Sequence, residues 1–125
     1  MVFRYARHTE DLLRMELFYT RVVGLDKLGE FENHQGYNGI ILGLAGIDWQ
    51  LEFTTSSQKP QRKFDDDDTL VFYLRTEDEF IGARKRIADS GVSTEIPRNP
   101  YWSANGIMIS DPDGHHVIFT QLRSK

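Results

Sequence analysis

The chain repeats itself at an offset of about 67 residues. Thr9 returns as Thr76, Gly24 as Gly91, and Asn38-Gly39-Ile40 as Asn105-Gly106-Ile107, while Leu51-Glu52-Phe53-Thr54 returns one residue earlier as Val117-Ile118-Phe119-Thr120. The helical stripes of the two halves do not superpose residue for residue, so this is a degenerate duplication. A repeat of this kind within 125 residues restricts the fold to one domain or two fused half-domains, each built from the same run of elements.

That run can be read from the first half. Phe3 to Thr9 is a short strand, and Thr9-Glu10-Asp11 supplies small polar and acidic residues suited to a helix start. Leu12, Met15, Tyr19 and Val22, with Phe18 beside them, form one helical stripe that predicts a helix to about Val23, ended by Gly24. Strand character follows over Lys27 to Glu32, Tyr37 to Leu44 and Trp49 to Thr54, with turn-type residues between. In the second half the spacing predicts a strand at Leu70 to Leu74 and a capping box at Thr76 to Glu79 before a helix ended by Gly91. Strands follow at Val92 to Ile96, Ala104 to Ser110 and His116 to Leu122. Asp111-Pro112-Asp113-Gly114 is a tight turn between the last two. The expected fold is α+β, two tandem βαβββ modules: module one over 1–55, a linker over 56–68 and module two over 69–125. The linker ends in Asp65-Asp66-Asp67-Asp68, which lacks the alternating ligands, central Gly and terminal Glu of a calcium loop and reads as a solvated connector.

Composition narrows the function classes. A net charge of −4, spread along the chain, lacks the basic footprint a phosphate backbone requires, so no nucleic-acid partner is expected. With no cysteine there is no disulfide, thiolate metal site or Cys nucleophile. No stretch approaches the ~20 apolar residues that span a bilayer, and the N-terminus lacks an apolar leader core. A cytoplasmic protein without membrane partners is expected. Gly-rich phosphate loops, Gly-x-Ser-x-Gly elbows and His-Glu-x-x-His helices are absent.

Asp11-Leu12, then Phe18-Tyr19 with Gly24-Leu25, and Asp111-Pro112-Asp113-Gly114 before the last strand, set in paired βαβββ modules, resemble the vicinal oxygen chelate superfamily. That superfamily holds glyoxalase I, extradiol dioxygenases, and bleomycin- and fosfomycin-resistance proteins. The resemblance implies a cupped mixed sheet around a cavity. It also implies a divalent metal held by a His or Gln from the first strand of each module and a Glu from the last. Carried onto this chain, those positions fall on Arg4, on the face of Thr69, Val71 and Tyr73, on Glu52 and on Ile118. Only Glu52 is a ligand type, because Arg is obligatorily charged and Ile has no lone pair.

Glu52 lies between apolar Leu51 and Phe53, so strand alternation turns it to the opposite face, where an unpaired acid is costly. The resemblance puts Arg4 beside it, so Arg4 is its expected partner through a charge-assisted hydrogen bond, with metal coordination and a solvent-exposed Glu52 as the other readings. His116 shares the face of Ile118 and either lines the cavity or stays solvated. His8 is expected too far from the Arg4 position, ~13 Å along the strand, and His34 and His115 lie in turns. Tyr37, Trp49, Tyr101 and Trp102 either offer flat faces to a planar ligand or close the sheet ends and a dimer contact. The expected function is small-molecule binding of the bleomycin-resistance type, by a homodimer without a cofactor. Ligand residues are Arg4, Tyr37, Trp49, Glu52, Tyr73, Tyr101, Trp102, His116 and Ile118. The alternative is a metal-dependent lyase, isomerase or dioxygenase, with Glu52 as catalytic base or ligand and His116 as a second metal ligand. A purely structural or regulatory domain is the third reading.

Overall fold

Phe3–His8 forms strand β1, and Asp11 then starts the first helix by accepting a hydrogen bond from the Arg14 backbone N–H at 3.1 Å. The computed structural model describes residues 1–61 and 63–122. Helix α1 spans Leu12–Leu17 and continues as a π-helical turn over Phe18–Val22. The wide turn has a local cause: the Thr20 hydroxyl donates to the Glu16 carbonyl at 2.7 Å, and the Val23 N–H reaches back five residues to Phe18 at 3.2 Å. As a result the adjacent pairs Phe18-Tyr19 and Val22-Val23 are all buried, more than one narrow α-helical stripe provides. Gly24 ends the segment at φ 92°, a left-handed conformation that a β-carbon would penalise.

Strands β2 (Asp26–His34), β3 (Tyr37–Gly43) and β4 (Trp49–Thr55) join β1 in a sheet of order β1-β4-β3-β2, in which β1 runs parallel to β4 and the other pairs are antiparallel. Met15 and Tyr19 from the helical segment, with Ile40, Leu42, Leu51 and Phe53 from the sheet, are buried. Each such side chain contributes about 1.5–3 kcal/mol of burial. Phe31 of β2 lies across Gly39 of β3, where a β-carbon would stand 2.3 Å from the ring.

The second sheet repeats this order with one strand reduced. Strands β5 (Thr69–Leu74), β6 (Ile107–Ser110) and β7 (His116–Gln121) are arranged β5-β7-β6, with β5 parallel and β6 antiparallel to β7. Helix α2 (Glu77–Asp89) starts at Thr76, which accepts from the Glu79 N–H at 3.1 Å while the Glu79 carboxylate takes the Arg75 N–H at 3.0 Å. It closes with Gly91 N–H on Ala88 and Val92 N–H on Ile87, Gly91 taking φ 71°. The chain divides into two compact units, Met1–Arg62 and Lys63–Lys125, each carrying one sheet. The architecture is α+β with two repeated modules.

Two expectations for the second half are corrected. Val92 to Ile96 does not form a strand: only Glu95 bridges to Met108, and Pro97, which has no N–H to donate, follows an exposed Ile96. Between that bridge and the next strand lies a short helix, α3 (Pro100–Asn105), because Asn99 accepts the Tyr101 N–H at 3.0 Å and Pro100 occupies the first turn. The strand placed at Ala104 shortens to β6 accordingly.

The aspartate run is exposed yet fastened. Arg98 donates to Asp65 at 2.6 Å and to Asp67 at 2.7 and 3.1 Å, the Asp66 carbonyl accepts from His116 at 2.8 Å, and Phe64 packs on the His115 ring. The Asp67 backbone N–H, followed by Arg98, holds the Asp65 carboxyl below its ordinary value near 3.8. A depressed carboxyl stabilises the folded state above its ordinary value and loses that contribution as pH falls through the folded one. Carboxyl NMR titration should place the Asp65 midpoint below 3.8. In Arg98→Gln the midpoint should return only part of the way, since the backbone donor remains; full return would contradict that ranking of causes.

Gly39→Ala should destabilise the protein by about 1–3 kcal/mol in urea unfolding, because the new methyl drives into the Phe31 ring. Combined with Phe31→Ala its cost should largely vanish, and strictly additive effects would contradict the contact.

Candidate functional site

Period-2 alternation along β4 decides what each face of the first sheet carries. Leu51 and Phe53 are buried, with Phe53 against the Tyr19 ring at 5.1 Å and beneath the buried Arg7 guanidinium at 5.2 Å. Gln50, Glu52 and Thr54 therefore share the opposite face. Registered beside them are Arg4, Ala6 and His8 on β1, and Gly43, Ile41 and Gly39 on β3.

On this face Arg4 Nη1 donates to Glu52 Oε1 at 2.8 Å, and Arg4 Nε and Nη2 both donate to Gln50 Oε1, at 3.1 and 2.7 Å. The Glu52 side chain is 18% exposed and that of Arg4 43%, so the acid is half sheltered beneath a more open cation. The position where the superfamily likeness places a metal-ligating side chain thus holds a guanidinium in contact with the remaining acid. Among the described residues no three His, Cys, Asp or Glu side chains converge as a metal group.

His8 closes the same row. Its Nε2 lies 2.8 Å from the Gln58 carbonyl, which only accepts, so Nε2 carries the proton. In the neutral ring Nδ1 then accepts from the Thr54 hydroxyl at 2.8 Å. Ser56 Oγ stands 3.1 Å from Nε2, and Tyr37 presents an edge to the ring at 5.8 Å. His8 is tied off at both nitrogens, a stronger reason than strand distance for keeping it from a metal.

In the second unit, Thr69, Val71 and Tyr73 of β5 share a face with His116, Ile118 and Thr120 of β7. Nδ1 of His116 donates to the Asp66 carbonyl at 2.8 Å, and its Nε2 stands 3.6 Å from Glu95 Oε1. Tyr101 and Trp102 meet edge to face at 4.9 Å on α3, with Tyr101 exposed and Trp102 half-buried.

The structure thus brings Arg4, Tyr37 and Glu52 onto one face of the first sheet, and Tyr73 and His116 onto one face of the second. Trp49 does not join Glu52: it has the parity of Leu51 and Phe53 and lies on their side, opposite Phe3 of β1. Ile118 presents no surface to a ligand, being fully buried, with Gly106 so close that a β-carbon there would stand 3.0 Å from its Cγ2. Gln50 was not among the expected residues, although its spacing of two from Glu52 was a legible signal. Ile41 and Phe31 become visible only through strand pairing.

Residues 3–54 match the model of the YycE-like N-terminal domain, and residues 67–121 that of the YycE-like C-terminal domain. The chain is 35% identical over 121 residues to the uncharacterized protein YycE of Bacillus subtilis (strain 168), covering 93% of this chain and 84% of the relative. A crystal structure of a Bacillus subtilis YycE protein of unknown function, proposed to be a glyoxalase/fosfomycin resistance protein, superposes with a TM-score of 0.87 at 33% identity, over 99% of this chain and 91% of that one. The fold is also that of the trypanothione-dependent glyoxalase I of Leishmania major, with TM-score 0.70, 19% identity and coverage of 94% and 84%. It is likewise that of TnmS3, an antibiotic binding protein from Streptomyces sp. CB03234, with TM-score 0.66, 23% identity and coverage of 98% of this chain and 96% of that one. No helix among the described residues is long and apolar enough to cross a membrane. The chain belongs to the YycE-like family, and its fold is that of the glyoxalase, fosfomycin resistance and bleomycin resistance proteins of the vicinal oxygen chelate superfamily.

Proposed function

We propose that this protein binds a small organic molecule, in the manner of the bleomycin-resistance type, and does so without the superfamily's metal. One observation carries the reading: Arg4 occupies the first-strand position and donates to Glu52 at 2.8 Å. A divalent cation at Glu52 would stand beside a fixed positive charge and would have to displace it. The donors of Arg4 and Glu52 on the first sheet therefore do not fit a metal, and Arg4 with Glu52 orients the ligand instead. The antibiotic-binding activity named for TnmS3, on the same fold, supports the same class of function. Tyr37 on the Glu52 face supplies an aromatic surface, 45% exposed. The reading includes a cytoplasmic homodimer. Two-fold pairing is the commonest way to cover apolar surface such as that of Tyr73, Ile81, Ile96 and Tyr101.

A second reading, a metal-dependent lyase, isomerase or dioxygenase, draws on His116. The Asp66 carbonyl fixes the proton on Nδ1, so that Nε2 of the neutral ring holds a lone pair beside Glu95. On this reading His116 would be the proton-transfer group of the second sheet.

Two measurements separate these readings. Protein purified from medium supplemented with manganese, iron, nickel and zinc should hold far less than one equivalent of any of them; stoichiometric metal lost on Glu52→Ala would establish the second reading. Glu52→Gln should keep the fold, with unfolding free energy within about 1 kcal/mol of the parent because Arg4 stays partly solvated. It should also lose most of the thermal shift produced by any small molecule found in a ligand screen. An undiminished shift in that variant would remove Glu52 from the binding site.

A further inference from the structure

We infer that the Arg4, Gln50 and Glu52 face selects an uncharged ligand group presenting a hydrogen-bond acceptor beside a donor, an amide or lactam, and discriminates against carboxylates and cations alike. This deepens the binding function proposed above and rests on it.

Arg4 and Glu52 cancel within 2.8 Å, so an arriving anion gains the guanidinium and meets the carboxylate, while an arriving cation gains the carboxylate and meets the guanidinium. A neutral group meets neither penalty. Of the five N–H bonds of a guanidinium, three are committed, one to Glu52 and two to Gln50. One N–H remains on each terminal nitrogen. Glu52 accepts through Oε1, which leaves Oε2 as an acceptor. Donors and an acceptor therefore stand side by side, the complement of a group carrying C=O next to N–H.

Gln50 makes this arrangement specific. By accepting from both Nε and Nη2 it holds the guanidinium in one orientation, and it adds no charge. An acid at position 50 would make the cluster negative and suited to a cation. The flanks are hydrocarbon: Ala6 on β1 and Ile41 on β3 are registered on either side of Glu52, and the Phe31 ring covers Gly39 one row away. The ligand thus combines an amide-type edge with an apolar body.

Three molecules sharing one ring test this: benzamide, benzoate and benzamidinium, titrated into the isotopically labelled protein while the Arg4 Nε–H and Gln50 side-chain amide signals are followed by NMR. Benzamide should shift those signals and bind at least about tenfold more tightly than either ion, the discrimination expected of an unfavourable like-charge contact. Glu52→Gln, which leaves Arg4 uncancelled, should reverse the preference toward benzoate, and Arg4→Met should reverse it toward benzamidinium. If either variant fails to fold, the ranking in the parent protein decides alone. Benzoate or benzamidinium equalling benzamide there would overturn the neutral-ligand inference while leaving small-molecule binding at this face intact. If none of the three moves the Arg4 or Gln50 signals, binding at this face is overturned as well.

Discussion

The contact between Arg4 and Glu52 governs how the first sheet can be used. A carboxylate set on a half-sheltered sheet face needs either hydrogen-bond donors or a counter-charge, and strand parity leaves Glu52 no route to the other face, where Leu51 and Phe53 are buried. Parallel pairing of β1 with β4 brings Arg4 one row away, and its long side chain bridges the step. Once that pair forms, the polar face is electrically closed. What remains for chemistry is directional hydrogen bonding, not net charge.

The duplication was legible because the positions it preserves are ones where geometry leaves little choice. Gly24 and Gly91 both take positive φ at a helix end, and Gly39 and Gly106 both sit where a β-carbon would collide with a packed neighbour. Thr76 caps its helix, whereas in the first half the cap falls on Asp11, two residues beyond Thr9. The parts that could not be read depend on cooperation between segments. Val92 to Ile96 has strand composition but only a four-residue neighbour and a proline at its end, so pairing stops at Glu95. The π-helical turn depends on one hydroxyl, that of Thr20, competing for a backbone carbonyl.

The candidate site shows the same division. Arg4 and Glu52 could be paired from sequence because the superfamily likeness supplied the adjacency and charge supplied the motive. Gln50 escaped notice because an amide announces no chemistry alone, and it matters only as the acceptor that orients Arg4. Trp49 lies only three residues before Glu52, yet odd and even positions on a strand face apart. Ile118 was treated as the counterpart of Glu52, but an apolar side chain in a central strand has no reason to remain at a surface, and Gly106 lets the neighbouring backbone close over it.

A backbone carbonyl cannot donate, so His8 and His116 each have one ring proton assigned by the main chain, to Nε2 by Gln58 and to Nδ1 by Asp66. His8 then directs its other nitrogen to Thr54 and becomes part of the framework, whereas His116 leaves Nε2 facing Glu95 at 3.6 Å, beyond hydrogen-bond reach. The two histidines stand at different places in the repeat, His8 on β1 and His116 on β7, and their surroundings differ accordingly. The first half ties Glu52 to Arg4 and His8 to Thr54 and Gln58, while the second leaves one imidazole nitrogen of His116 beside the Glu95 carboxylate.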